Sequence, residues 1–281
     1  MTKQDLKLST SKLAIITLTL LSMTGASNAL ATEPCGDFGE CKVLVETNAS
    51  DGDLGFHFLS DGDDLISTQI RDPNGVVIFS DRVGGPLAEQ QLTETFAESA
   101  EPVCRADLAE DPDDVVVTLT GFLKRWTPGI YRFIGKDEEG EKSLGRTRLS
   151  FKLPAAPQNI AFDAGVISWS AGDDLGECAT KSQLTKLVSK GLLPKHPMDV
   201  RVAAWEVVFE ADDGSNLKHS IRVPGNIAIK EVSVPQEYLD ALPLDTPAKI
   251  VVGAITKTDH ATFSEKGDIC VNRFVGCDDD E

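Results

Sequence analysis

The sequence predicts an all-β chain folded as two β-sandwiches in tandem, and three observations carry that expectation. Short apolar runs of four to eight residues alternate with polar ones and are punctuated by Gly, Asp and Pro from residue 40 onward. A linker, Leu153-Pro-Ala-Ala-Pro157, is followed at once by Asn159-Ile-Ala-Phe162, a turn at Asp163-Ala-Gly165 and a run ending in Trp169, which is how a new sandwich module of about 100 residues opens. Six cysteines in 281 residues, none in Cys-x-x-Cys spacing, favour disulfides over metal thiolates.

The N-terminus explains why disulfides are permitted. Lys3, Lys7 and Lys12 precede an apolar run from Leu13 to Leu21 and the small-residue site Ala29-Leu-Ala31, the pattern of a secretory signal peptide over residues 1–31. Glu33 and Pro34 before Cys35 do not fit a lipid-anchor signal. Cleavage after Ala31 leaves 250 of the 281 residues, divided at the linker into 33–152 and 153–277, with an acidic tail at 278–281. The chain is expected to be exported to the periplasm, the cell surface or the exterior, with no membrane insertion. The removed segment carries three Lys and one Asp, so the net charge falls from −18 to −20. A surface of that sign repels nucleic acid and anionic lipid.

In the first half, Lys42-Val-Leu-Val-Glu46 and the alternating Leu54, Phe56 and Phe58 read as strands, followed by an acidic turn around Asp61-Gly-Asp-Asp64. Leu65–Ile70 and Val76–Phe79 flank Asp72-Pro-Asn-Gly75, whose residues suit a type I turn leading into a glycine bulge, so a hairpin is predicted. From Asp81 to Asp114 the periodicity fades into a long crossover loop with one short helix near Leu87–Ala97. Strands resume at Val115–Thr120, Gly129–Ile134 and Arg146–Phe151.

In the second half, Pro157, Asn159, Ile160 and Phe162, then Gly165, Ile167 and Trp169, then Trp205, Val207 and Phe209 with the turn Ala211–Ser215, resemble strands A, B and C of a fibronectin type III domain. Leu242, Thr246, Ile250, Val252 and Ala254 resemble its E–F corner and strand F. The resemblance covers about 120 residues and implies an immunoglobulin-like sandwich. It departs at Ala248, where the family carries a corner tyrosine, and at residues 170–199, a B–C connection far longer than the family's. Within that insertion Leu184, Leu187 and Val188 followed by Gly191 and Pro194 predict a short amphipathic helix with a glycine end. Stretches such as Asp51–His57, Glu98–Pro102 and Pro128–Tyr131 also resemble a group of bacterial exported proteins with this layout, which implies architecture and no activity.

Candidate sites are few. Asp51, Asp53, Asp61, Asp63 and Asp64 offer oxygen ligands for calcium, but the loops fail as EF-hands because Gly55, Phe56, Leu65 and Ile66 hold positions that need a ligand or Gly; solvated turns are the plainer reading. Lys181, Lys186 and Lys190 make a basic face on the predicted helix, either solvated or a contact for an anion or partner. No Gly-x-Ser-x-Gly or His-Glu-x-x-His occurs and the four His lie far apart in sequence, so no catalytic residue and no cofactor is assigned. His57, between Phe56 and Phe58, projects from the opposite strand face and reads as a surface histidine. For the cysteines, Cys178 is expected to meet Cys270, because B–C and F–G connections share one end of a sandwich. Cys35 then pairs with Cys41, and Cys104 with Cys277. The sequence therefore points to a non-enzymatic exported binding or scaffolding protein acting through its loops on an envelope protein or glycan. An accessory carbohydrate- or calcium-binding module is the alternative, and a hydrolase with a site assembled only in space is the third.

Overall fold

The computed structural model describes residues 35–277; the expected signal peptide over residues 1–31 and the acidic tail lie outside them. The first half contains β1 (Glu40–Asn48), β2 (Asp53–Leu65), β3 (Ser67–Arg71), β4 (Val77–Ser80), α1 (Pro86–Gln90), β5 (Leu92–Glu98), α2 (Leu119–Arg125), β6 (Gly129–Lys136) and β7 (Lys142–Leu149). The second contains β8 (Pro157–Asp163), β9 (Val166–Ala171), α3 (Lys181–Ser189), β10 (Ala204–Ala211), β11 (Lys218–Pro224), β12 (Glu231–Ser233), α4 (Gln236–Ala241), β13 (Thr246–Ile255) and β14 (Ala261–Val271). The chain is all-β apart from short helices.

The two halves repeat one connectivity. In the first, β1-β2-β5 faces β4-β3-β6-β7; in the second, β8-β9-β12 faces β11-β10-β13-β14, so each strand of the second half has the place of the strand seven earlier. This is the A-B-E against C′-C-F-G layout of an immunoglobulin-like sandwich of the fibronectin type III kind. The halves are also fused. β1 pairs in parallel with β14, Glu46 opposite Ala261 and Asn48 opposite Phe263, which joins three strands of one half to four of the other in a seven-stranded sheet. Thr47 lies opposite Thr262 on the inner side, so both cores sit on the same face of that sheet.

Alternation builds each core. Val43 and Val45 of β1 and Leu54, Phe56 and Phe58 of β2 face inward with Ile70, Tyr131 and Phe133. Trp205, Val207 and Phe209 of β10 lie beside Ala254, Val252 and Ile250 of the paired β13 on the same inner face, and Trp169 of the opposing β9 stands edge-on to Trp205. Each fully buried side chain of this size contributes about 1.5–3 kcal/mol relative to an exposed one. The corner tyrosine missing from the second half is found in the first. Tyr131, at the third position of β6, is fully buried and donates its hydroxyl to the Thr127 carbonyl four residues upstream at 3.1 Å. In the second half Ala248 has that place, and the Thr246 hydroxyl donates to Pro243 O at 2.9 Å instead. Tyr131→Phe is therefore expected to cost about 1 kcal/mol, read as a lower urea midpoint with unchanged slope; an unchanged midpoint would show that the corner bond adds nothing.

The hairpin at residues 72–75 forms as its sequence specifies: the Asp72 carboxylate accepts the N–H groups of Asn74 and Val76, and Gly75 takes φ +85°. Other elements differ. The acidic turn after Phe58 is instead the continuation of β2 to Leu65, with a break in register against β5 between Asp61 and Leu65 and Asp64 at φ 59°. The helix near Leu87–Ala97 is only α1, after which Leu92–Glu98 extends as β5 because β2 offers it an unpaired neighbour. Val115–Thr120 is not a strand. Val116 makes an isolated bridge with Val103, and Thr118 caps α2 by accepting the Gly121 N–H, turning the chain into helix.

The insertion after β9 holds the halves together. α3 begins at a capping box between Thr180 and Gln183, and ends where Gly191, at φ +69°, lets Leu192 N–H reach Leu187 O. Its Leu184 and Leu187, with Leu175 and Leu193, belong to the core of the first sandwich. Cys178 accordingly bonds Cys104 (Cα–Cα 5.0 Å) and not Cys270. The shared-end argument fails because the long connection leaves its own sandwich and folds over the neighbouring one. Cys270 closes a short loop with Cys277 (Cα–Cα 5.6 Å), which also displaces the expected Cys104–Cys277 bridge. Cys35 is joined to Cys41.

Candidate functional site

The outer face of the seven-stranded sheet carries the densest group of ionisable side chains with a buried member. Because Val45 and Phe56 face inward, Glu46 and Asn48 of β1 and His57 of β2 face out. Register places Gly55 opposite Glu46, and Glu98 of β5 opposite His57. Gly55 makes room for the imidazole: a Cβ there would lie 2.4 Å from His57 Nε2 and 3.1 Å from Glu101 Oε1. Phe96 lies edge-on to the ring with centroids 5.8 Å apart.

The result is a histidine that is outward-facing yet only 5% exposed. The surface position expected from alternation is thus corrected, since side chains from neighbouring strands roof it. Its Nδ1 stands 3.9 Å from Glu46 Oε2 and its Nε2 3.8 Å from Glu101 Oε1. Nε2 is buried and has no hydrogen-bond partner. The Asn48 amide donates to Asp53 (2.9 Å) and to Glu101 (3.3 Å), tying the two carboxylates together. Burial, then the charge of Glu101, Glu98 and Asp53, pushes the Glu46 carboxyl up to about 7. Burial likewise raises Glu101 and Asp53, with neighbouring carboxylates adding to it. Burial lowers the His57 pKa and so favours the uncharged ring, opposed by the charge of Glu98.

The residues singled out by sequence lie elsewhere or apart. Asp53 opens β2 whereas Asp61, Asp63 and Asp64 lie at its far end, 8 to 11 residues on, about 26–36 Å away at ~3.3 Å per residue. Among the described residues one group of three side chains brings ligand atoms within 4.8 Å of one another, and it is Glu46, His57 and Glu101, none of them in the calcium set. Lys181 pairs with Asp173 at 2.8 Å, while Lys186 and Lys190 are exposed on the outer side of α3. Among aromatic side chains outside the second core, Trp126 stacks on Phe56 with centroids 3.8 Å apart, Tyr131 belongs to the first core, and the Tyr238 hydroxyl donates to Leu217 O.

Among the described residues one Ser–His hydrogen-bond contact is found, Ser150 Oγ to His260 Nε2 at 3.4 Å, with His260 fully buried. His260 Nδ1 accepts the Val45 N–H at 3.0 Å, so the proton of the neutral ring is on Nε2 and points at the serine. That tautomer cannot act as a base toward Ser150. Its role is to tie the β13–β14 hairpin of the second half to β1 of the first.

A third feature is the loop closed by Cys270 and Cys277. The Asp245 carboxylate accepts backbone N–H groups of Phe274, Val275 and Gly276 at 2.7–3.1 Å, and these bonds hold its pKa below the usual carboxylate range. The loop so pinned displays Phe274 at 78% exposure and Val275 at 80%, beside Leu244 at 67%. An open cleft of about 540 Å³ lies between Ala49–Ser50, the start of β8 and Ser264–Lys266.

Repeated strand order and two cores define a class: a fused tandem of fibronectin type III-like sandwiches. No family model matches the chain, and no curated protein matches its sequence. Among solved structures it is similar to the FN1–FN3 domains of chicken CNTN1, at 10% identity and a TM-score of 0.29, covering 85% of this chain and 65% of that one. It is similar also to a tetra-tandem repeat from the extending region of a large adhesion protein (10% identity, TM-score 0.25, 83% of this chain and 49% of that one). A cytokine receptor complex aligns at 11% identity and TM-score 0.25, over 81% of this chain and 96% of that one. The chain spans less than two thirds of the length of the first two. Three disulfides with no free cysteine among the described residues belong to a protein of an oxidising compartment. Among the described residues no helix is long and apolar enough to cross a membrane.

Proposed function

We propose that this chain is a non-enzymatic exported binding module that engages a protein partner through its Cys270–Cys277 loop. The observation that supports the reading is the pinned display of Phe274 and Val275. An aromatic and an aliphatic side chain held out by a backbone fixed at both ends lose little freedom on docking, and such anchors carry much of the energy of an interface. The two longest connections, residues 81–114 and 170–199, suit the role less. One contains α1 and β5, and the other is spent on the core of the neighbouring sandwich. The expected signal segment and the three disulfides support an encounter outside the cytoplasm. The lysine face of α3 is kept as a second contact.

A photo-crosslinking residue at position 274, introduced in the exported protein in cells, is expected to give one discrete adduct. Asp245→Ala, which unpins the loop, should reduce it several-fold, and replacing Lys186 and Lys190 tests the second contact in parallel. Adduct yield no greater than from the same probe at Glu139, an exposed turn residue of the first half, would overturn the proposal.

A further inference from the structure

We propose that Glu46, His57 and Glu101 form a binding site for a divalent transition-metal ion of the zinc class on the outer face of the seven-stranded sheet. This goes beyond the partner-binding reading and is independent of the loop that carries it. Four observations converge. One ligand atom from each residue already lies within 4.8 Å of the others. The histidine contributes a buried Nε2 that no protein group satisfies, although a buried polar atom is ordinarily paired. The chain has a glycine at 55, where any side chain would drive into that nitrogen. Lastly, Glu98 stands opposite His57 in the β2–β5 register and the Asn48 amide ties Asp53 to Glu101, so further carboxylates crowd the group.

The donor set selects the metal. Calcium takes six to eight oxygen ligands, whereas one imidazole and two carboxylates match the nitrogen–oxygen sites of zinc and its neighbours. Ligands at about 2.0–2.2 Å from a tetrahedral ion stand about 3.4 Å apart. Glu101 Oε1, 3.8 Å from Nε2, therefore needs to close by about half an ångström. Glu46, whose Oε2 stands 3.9 Å from the other ring nitrogen, has a carboxylate oxygen within 4.8 Å of the other two ligand atoms and closes by up to about 1.4 Å through its side-chain torsions. Asn48 supplies the outer support, since its amide orients Glu101, and three protein ligands leave a fourth position for water or a partner's side chain.

The test uses the full mature chain with its disulfides intact, stripped of metal with chelator and titrated with zinc by calorimetry at pH 7.5. One equivalent of zinc per chain is expected, with a rise in melting temperature that chelator reverses and that calcium at the same concentration does not produce. His57→Gln should abolish the single equivalent, and Asn48→Ala should weaken it about tenfold. Glu101→Gln, at a half-exposed position, is the arm to rely on if His57→Gln fails to give a native circular-dichroism spectrum, and it too should lose the equivalent. Absence of zinc binding by the wild type, or an unchanged equivalent in Glu101→Gln, overturns the site.

Discussion

Replacing Cys104 and Cys178 together by alanine is expected to lower the unfolding free energy by about 4 kcal/mol. The bridge spans 74 residues of sequence, and in the chain-entropy account a closed loop of that length restrains the unfolded chain by roughly 4.5 kcal/mol. The bridges Cys35–Cys41 and Cys270–Cys277 span 6 and 7 residues, for which the same relation gives only about 2 kcal/mol each. Urea unfolding of the three double-alanine variants measures the order directly. Equal losses for all three would show that loop length does not govern the effect. The long bridge also fastens the insertion bearing Leu184 and Leu187 over the first core, so its loss should be accompanied by faster hydrogen exchange in α3.

The second large effect concerns His260. Burial, with Lys152 adding to it, lowers its pKa to about 4, against 6.5 for a free imidazole. Between those values the unfolded chain binds a proton that the folded chain refuses. The stabilisation is therefore complete above about pH 6.5 and lost as the pH falls toward 4, by about 3 kcal/mol in all. The physical event is the loss of an acceptor, since a protonated ring cannot receive the Val45 N–H. Glu46 titrates in the opposite sense, because its raised carboxyl favours the folded state at low pH and loses that contribution as the pH rises through about 7. The total pH profile mixes the two. The informative quantity is the difference between wild type and His260→Asn, whose carboxamide oxygen can accept without titrating. That difference should grow by about 3 kcal/mol in favour of the variant from pH 7 to pH 4, and parallel profiles would remove His260 from the account.

How much of this was legible in the sequence follows from where the determining contacts lie. Val43 and Val45, or Trp205, Val207 and Phe209, declare strand and inward face by alternation alone, since a strand exposes its two sides by turns. Asp72–Gly75 declares its turn for the same local reason. β5 was hidden because Leu92–Glu98 is mostly polar and becomes a strand only through β2. Val115–Val117 has strand propensity, but the Thr118 cap decides the next seven residues. The amphipathic helix was visible at residues 184–188, whereas its host was not: nothing near Leu184 in sequence says that the surface it covers belongs to the other half. His57 shows the same division. Its outward direction follows from Phe56 and Phe58, while its burial is made by Glu46, Phe96 and Glu101, remote in sequence, and Gly55 two residues before it was the one local sign. The internal repeat of seven strands leaves no sequence period, because the sandwich asks for alternation and not for particular residues.

The parallel pairing of β1 with β14 has a mechanical consequence. From the paired residues 46–48 and 261–263 the chain runs back toward residue 35 in one direction and on toward residue 277 in the other. Tension applied between those two points would pull the strands past each other lengthwise, stretching the hydrogen bonds of that short ladder together instead of unzipping them singly. The seam that fuses the halves is thus oriented as a shear clamp, with the His260 hairpin at its side as a latch.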